Sequence, residues 1–179
     1  TFNTPAGESV ALYITSYTIF GGALFFLYMM STLYHAITPL GARSVFSILN
    51  HDAIYVLIAG TYTPFVLTQI GGTAGWVVFG LVWGVCTLLI VLYSVFGARL
   101  RSFSAFTYAL IGWLFLALFS LFPFGLPKIT RVMLITGGVS YSVGGIFYLM
   151  RKYKWTHCIF HTFTLIGSIL HFFSVFYAI

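Results

Sequence analysis

The chain has 179 residues, of which 60% are hydrophobic and only 6% are charged, and its mean hydropathy is +1.04. A soluble domain of this length cannot hide so much apolar surface, because a small fold buries only part of its area. The net charge of +6 does not indicate nucleic-acid binding, since the basic residues stand singly or in short groups between apolar segments. The composition therefore predicts an all-α, polytopic membrane protein.

Six segments are long and apolar enough to cross a membrane, which takes about 20 residues. They run over about residues 10–36, 44–70, 74–96, 103–122, 129–150 and 155–178. Pro64 should kink the second segment or end its regular part. The short connections predict antiparallel neighbours in one transmembrane domain over residues 1–179. Pairs of small residues one turn apart predict close helix contacts at Gly80–Gly84, Gly138–Ser142 and Ser140–Gly144.

Basic residues set the predicted orientation, because Lys and Arg favour cytoplasmic connections. Six of them follow the first, third and fifth segments, and two lie on the other side: Arg43, Arg99, Arg101, Arg151, Lys152 and Lys154 against Lys128 and Arg131. The first side is therefore predicted to be cytoplasmic, with both ends of this chain outside. A further helix upstream, entering from the cytoplasm, would account for an outside start.

Four ionisable side chains lie at similar depth in three segments. His35 is near the end of the first segment, Asp52 is in the second, and His157 and His161 open the sixth. Residues four apart share one face of a helix. At 1.5 Å per residue, all four fall in the predicted cytoplasmic half of a core about 30 Å thick. Buried ionisable groups need partners, so this convergence predicts a metal site.

Zinc is the expected metal, because three histidines that leave one position open form a catalytic zinc arrangement. Soluble zinc peptidases place a glutamate base after the first histidine, whereas Cys158 follows His157 here. Asp52 either holds and deprotonates a zinc-bound water or ligates zinc directly and closes a structural site. Ser31, one turn before His35, either stabilises a developing oxyanion, hydrogen-bonds the site or bonds back to its own helix.

The two remaining histidines are expected to be structural rather than ligands. His51 points about 100° away from Asp52 around its helix, and His171 lies some 15 Å deeper than His161. Haem ligation by the histidines is an alternative, which Asp52 among the ligands makes less attractive.

At these positions the chain resembles the haemolysin III family, the bacterial branch of the progestin and adiponectin receptor (PAQR) superfamily. The resemblance extends over the whole chain. It rests on six short motifs: Ser31-Thr32-Leu33-Tyr34-His35, Asn50-His51-Asp52, Gly60-Thr61-Tyr62-Thr63-Pro64, His157-Cys158-Ile159-Phe160-His161, Gly167-Ser168 and His171-Phe172. The family's first helix carries an acidic, Asn/His-containing motif that this sequence lacks. Either that helix lies outside the sequence or the protein is a six-helix variant.

The resemblance implies a seven-helix bundle in the bacterial inner membrane, of which this chain supplies the last six helices. It also implies a cytoplasmic-side zinc held by residues matching His35, His157 and His161, with Asp52 on the zinc-bound water. Because relatives resemble alkaline ceramidases, it implies hydrolysis of a lipid amide or ester from the inner leaflet. One alternative is a non-catalytic membrane-homeostasis or receptor-like protein with structural zinc. Another is a pore-forming cytolysin, which has little support because no polar stripe runs the full length of several helices.

Overall fold

A computed structural model describes residues 9–120, 126–150 and 155–178. These residues form six long helices and no strand: α1 Val10–Ala36, α2 Leu40–Pro64, α3 Gly72–Phe96, α4 Arg101–Ser120, α5 Lys128–Leu149 and α6 Thr156–Phe176. The all-α prediction is confirmed. The largest difference in boundaries is the start of α2, at Leu40 rather than Ser44. Pro39, with φ of −61°, precedes this start and is already set for helix entry, so the helix begins directly after it.

Within the described ranges, five helices are long and apolar enough to span a membrane: α1, α2 with its continuation to Ile70, α3, α5 and α6. In α4 the apolar stretch Phe103–Leu114 is shorter, and the predicted end of that segment lies partly outside the described residues. A helix satisfies its own backbone hydrogen bonds, which is the requirement for crossing a bilayer. The chain is thus a multi-pass integral membrane protein. Its orientation stays a prediction, since Arg151, Lys152 and Lys154 lie outside the described residues.

The chain divides into two compact units, Thr1–Ser104 and Ala105–Ile179, and each is described by itself. In the first unit α2 packs against both α1 and α3. In α2, 72% of the apolar stretch is buried, against 28% in α1 and 17% in α3, so α2 is the central helix. Close packing on α1 depends on Gly60, where an added Cβ would lie 2.7 Å from the Ala23 Cβ.

Pro64 ends the α-helical part of α2, and the chain continues as a π-helical segment, Phe65–Ile70. Proline lacks the N–H that an α-helical turn requires, and a π-helical turn is one way to accommodate it. The prediction that Pro64 interrupts the second segment is confirmed. Just before this point the Trp83 Nε1 of α3 donates to the Thr63 hydroxyl at 3.0 Å, which ties α3 to α2.

In the second unit α5 and α6 form a closely packed pair. The Ser140 hydroxyl donates to the Phe163 carbonyl at 2.8 Å, and an added Cβ at Gly144 would lie 3.1 Å from the Phe163 Cβ. The predicted close contacts are therefore confirmed for Ser140 and Gly144. The prediction for Gly80 and Gly84 is not supported, because no described atom lies within 4 Å of a Cβ added to either.

Candidate metal centre

The histidine pair lies in the first two turns of α6, in the second unit. The Nε2 atoms of His157 and His161 are 3.1 Å apart, and their rings are nearly perpendicular at 88°. Two nitrogens bound to one tetrahedral zinc at about 2.0–2.1 Å lie about 3.3 Å from each other. The pair therefore already has almost the separation that two ligands of one zinc ion require, and the four-residue spacing on a helix is the cause.

The predicted third histidine, His35, is in the last turn of α1, in the first unit. Its side chain is exposed, and its ring lies 4.8 Å from the Tyr34 ring, centroid to centroid. His35, His157 and His161 each offer an imidazole nitrogen, the donor type predicted for the metal site. Imidazole nitrogen suits zinc, copper, iron and nickel, so this donor set fits the metal class predicted from the sequence.

Asp52 is buried on α2, with 5% of its surface exposed. Its Oδ2 accepts a hydrogen bond from the Ser94 hydroxyl at 2.8 Å. Its Oδ1 is also buried and has no hydrogen-bond partner among the described residues, as is true of the Asn50 Oδ1. A buried acceptor without a donor costs about 1–3 kcal/mol. The Asp52 Oδ1 is therefore suited to accept a hydrogen bond from a water molecule or a ligand hydroxyl.

Ser94 is the residue that sequence reasoning missed. It lies near the end of α3 and reaches Asp52 across 42 positions of the chain. No local pattern points to it, because its neighbours Tyr93 and Val95 belong to an otherwise apolar segment. The only general indication was that the buried carboxylate of Asp52 needs a partner, which does not identify Ser94.

Ser31 is half-buried on α1, one helical turn before His35. The two side chains therefore share one face of the helix, as residues four apart do. This placement is the one that the sequence predicted.

The other two histidines have structural partners. His51 donates from Nδ1 to the Ser47 carbonyl at 2.8 Å, and its ring stacks on Tyr93 at 4.8 Å between centroids. His171 donates from Nε2 to the Leu134 carbonyl at 3.1 Å. His51 thus contacts α3 through Tyr93, and His171 contacts α5 through Leu134.

Comparison with known proteins gives relatives that are similar in sequence over nearly the whole chain. Residues 2–172 match the family described as Haemolysin-III related. The "Hemolysin-3 homolog" of Bacillus subtilis (strain 168) is 41% identical over 162 residues, covering 90% of this chain and 76% of the relative. The "Hemolysin-3" of Bacillus cereus is 38% identical over 162 residues, covering 90% of this chain and 74% of the relative. No solved structure matches. On the family match and these identities, the chain belongs to the haemolysin III family.

Proposed function

We propose that this protein is a zinc-dependent membrane hydrolase that cleaves an amide or ester bond of a lipid. The observation that carries the proposal is the His157–His161 pair, whose Nε2 atoms are 3.1 Å apart. Two imidazoles held at ligand spacing in an apolar segment support a functional site, since ionisable residues are rare there. The buried carboxylate of Asp52, with one oxygen unpaired among the described residues, adds the base that a hydrolase needs.

His35, His157 and His161 would hold the zinc ion, on the side of the membrane predicted to be cytoplasmic. Three neutral imidazoles leave a fourth position for water or substrate, which is the arrangement of catalytic rather than structural zinc. When bound, zinc supplies a Lewis acid and makes a coordinated water acidic enough to react near neutral pH.

Asp52 would accept the proton of the attacking water at Oδ1, while the Ser94 hydroxyl holds Oδ2 and so sets the plane of the carboxylate. The water oxygen bonds to the lipid carbonyl carbon, and the C–N or C–O bond breaks. The proton then passes from Asp52 to the leaving amine or alkoxide, so the carboxylate is restored. Ser31 would donate its hydroxyl hydrogen to the carbonyl oxygen as negative charge develops there.

The lipid class of the substrate is supported by where these residues lie. Each of the five residues stands in a helix that is long and apolar enough to span the bilayer. A substrate must therefore reach them from the membrane, and an acyl lipid of the inner leaflet can do so without leaving its apolar surroundings.

The test is metal content by mass spectrometry together with turnover of a panel of lipid amides and esters. We expect about one zinc per wild-type chain, loss of zinc in His161→Ala, and retention of zinc without turnover in Asp52→Asn. His171→Gln is the matched control on the same helix and should keep its zinc.

Two outcomes would contradict the proposal. Loss of zinc from Asp52→Asn would make Asp52 a ligand and favour a structural zinc in a non-catalytic membrane-homeostasis or receptor-like protein. Absence of any metal from protein purified without chelators would remove the basis for the site.

A further inference from the structure

The first unit contains an open pocket of about 280 Å³ beside the turn from α1 to α2. Its lining combines one cation, two serines and two phenols with two apolar side chains: Arg43, Ser44, Ser47, Tyr34, Tyr93, Leu40 and Ile48. None of these residues belongs to the proposed catalytic set. A single positive charge among hydroxyl donors is the lining expected for an anion.

Arg43 is exposed at the pocket, and no carboxylate pairs with it within the described ranges. Its guanidinium lies over the Tyr34 ring, 5.5 Å from the centroid, a cation–π contact that orients the group. The acidic side chain within the described part of the chain, Asp52, accepts its hydrogen bond from Ser94 instead. Arginine presents five N–H donors in a planar fork that matches the oxygens of a phosphate. The guanidinium of Arg43 is therefore accessible to the oxygens of a phosphate at the pocket.

Two features identify a membrane lipid as the source of this anion. The pocket lies where α1 ends at Ala36 and α2 begins at Leu40, so it is at the end of two spans, at the level of lipid headgroups. Leu40, at its edge, is 84% exposed, which is costly in water but favourable against an acyl chain.

We propose that this pocket binds the phosphate of an anionic phospholipid. Arg43 donates to two phosphate oxygens, and the hydroxyls of Ser44 and Ser47, on the same face of α2, donate to the others. The binding stands independently of hydrolysis. Its consequence for substrate choice rests on the proposed function: the pocket would select lipids with a phosphate headgroup.

The experiment measures binding of dioctanoylphosphatidylglycerol to the full chain in detergent, with an Asp52→Asn background that prevents turnover. Arg43→Gln should weaken binding about 10-fold or more, because a charge-assisted hydrogen bond is worth about 1.5–3 kcal/mol. The affinity of Arg43→Lys should lie between those of wild type and Arg43→Gln, since lysine keeps the positive charge but lacks the planar set of N–H donors. Arg99→Gln, which removes another exposed arginine of the first unit, should change the affinity less than about twofold.

Two further ligands test whether the pocket binds the phosphate of a lipid rather than free phosphate. Dioctanoylglycerol, which lacks the phosphate, should bind at least about 10-fold more weakly, and inorganic phosphate at millimolar concentration should not displace the lipid. Displacement by inorganic phosphate would overturn the assignment to a lipid. Equal affinities of wild type, Arg43→Gln and Arg99→Gln would overturn the pocket itself. An unchanged thermal unfolding temperature of Arg43→Gln establishes that the variant is folded. Failure of the hydrolase proposal leaves every one of these results unaffected.

Discussion

Asp52 in the first unit and the histidine pair in the second unit are placed by different means. Asp52 is 5% exposed on the central helix α2, and its hydrogen bond comes from Ser94, 42 positions away on α3. His157 is exposed and His161 half-buried, and their mutual contact needs only the four-residue spacing within α6. The comparison indicates that the carboxylate depends on packing between helices, whereas the pair depends on the geometry of a single helix.

The largest expected effect, on lipid turnover, distinguishes the role of Asp52 as a base from that of His161 as a metal ligand. Asp52→Asn should lower turnover by about 10²- to 10⁴-fold, the contribution of a positioned general base, because the amide has no basic oxygen to accept the proton. The zinc content of the variant should stay at the wild-type level, whereas His161→Ala should lose the metal. Lipid turnover and metal content of both variants, measured on the same preparations, check this difference. Full activity of Asp52→Asn would mean that the buried carboxylate is structural.

Ser94→Ala tests whether a partner on another helix sets the position of the carboxylate. We expect kcat to fall about 10- to 100-fold, as it does when groups that orient a reactive residue are removed, with little change in KM or zinc content. Ser94→Thr keeps the hydroxyl and should restore most of the activity, which a purely steric role would not predict. Steady-state kinetics of the three proteins make the comparison, and equal kcat values would show that Asp52 needs no donor.

The smallest expected effects concern stability and compare helix packing in the two units. Gly60→Ala should destabilise the protein by about 1–3 kcal/mol, because the new Cβ would lie 2.7 Å from the Ala23 Cβ and close to the α1 backbone. Gly144→Ala should destabilise the protein less, since the added Cβ would lie 3.1 Å from its nearest neighbour, the Phe163 Cβ. Gly80→Ala, which meets no described atom within 4 Å, should stabilise the helix by up to about 1 kcal/mol.

The free energy of unfolding in detergent micelles is the measurement for these three glycine variants. Their expected order follows the space available to the added methyl group. A Gly80→Ala protein that is the least stable of the three would contradict this order, since it would require a contact that the described residues do not make.

Sequence reasoning succeeded where a local pattern carried the information. The helix ends of α1 were predicted at residues 10 and 36, as the structure has them. The start of α2 was predicted four residues too late, because Leu40 and Gly41 were assigned to the turn at Pro39. Gly80 and Gly84 were assigned to helix packing on spacing alone, although a GxxxG pair packs only where another helix covers it.

By itself, the amino-acid sequence determined the helical class, five spanning segments of the described residues and the meeting of His157 with His161. Each follows from backbone hydrogen bonding in an apolar solvent or from the repeat of one helix. Only the tertiary structure decided that Asp52 bonds to Ser94 while its Oδ1 stays unpaired among the described residues, and that a pocket forms around Arg43. These arrangements depend on how one helix is rotated and shifted along another, which side-chain packing sets and no local pattern encodes.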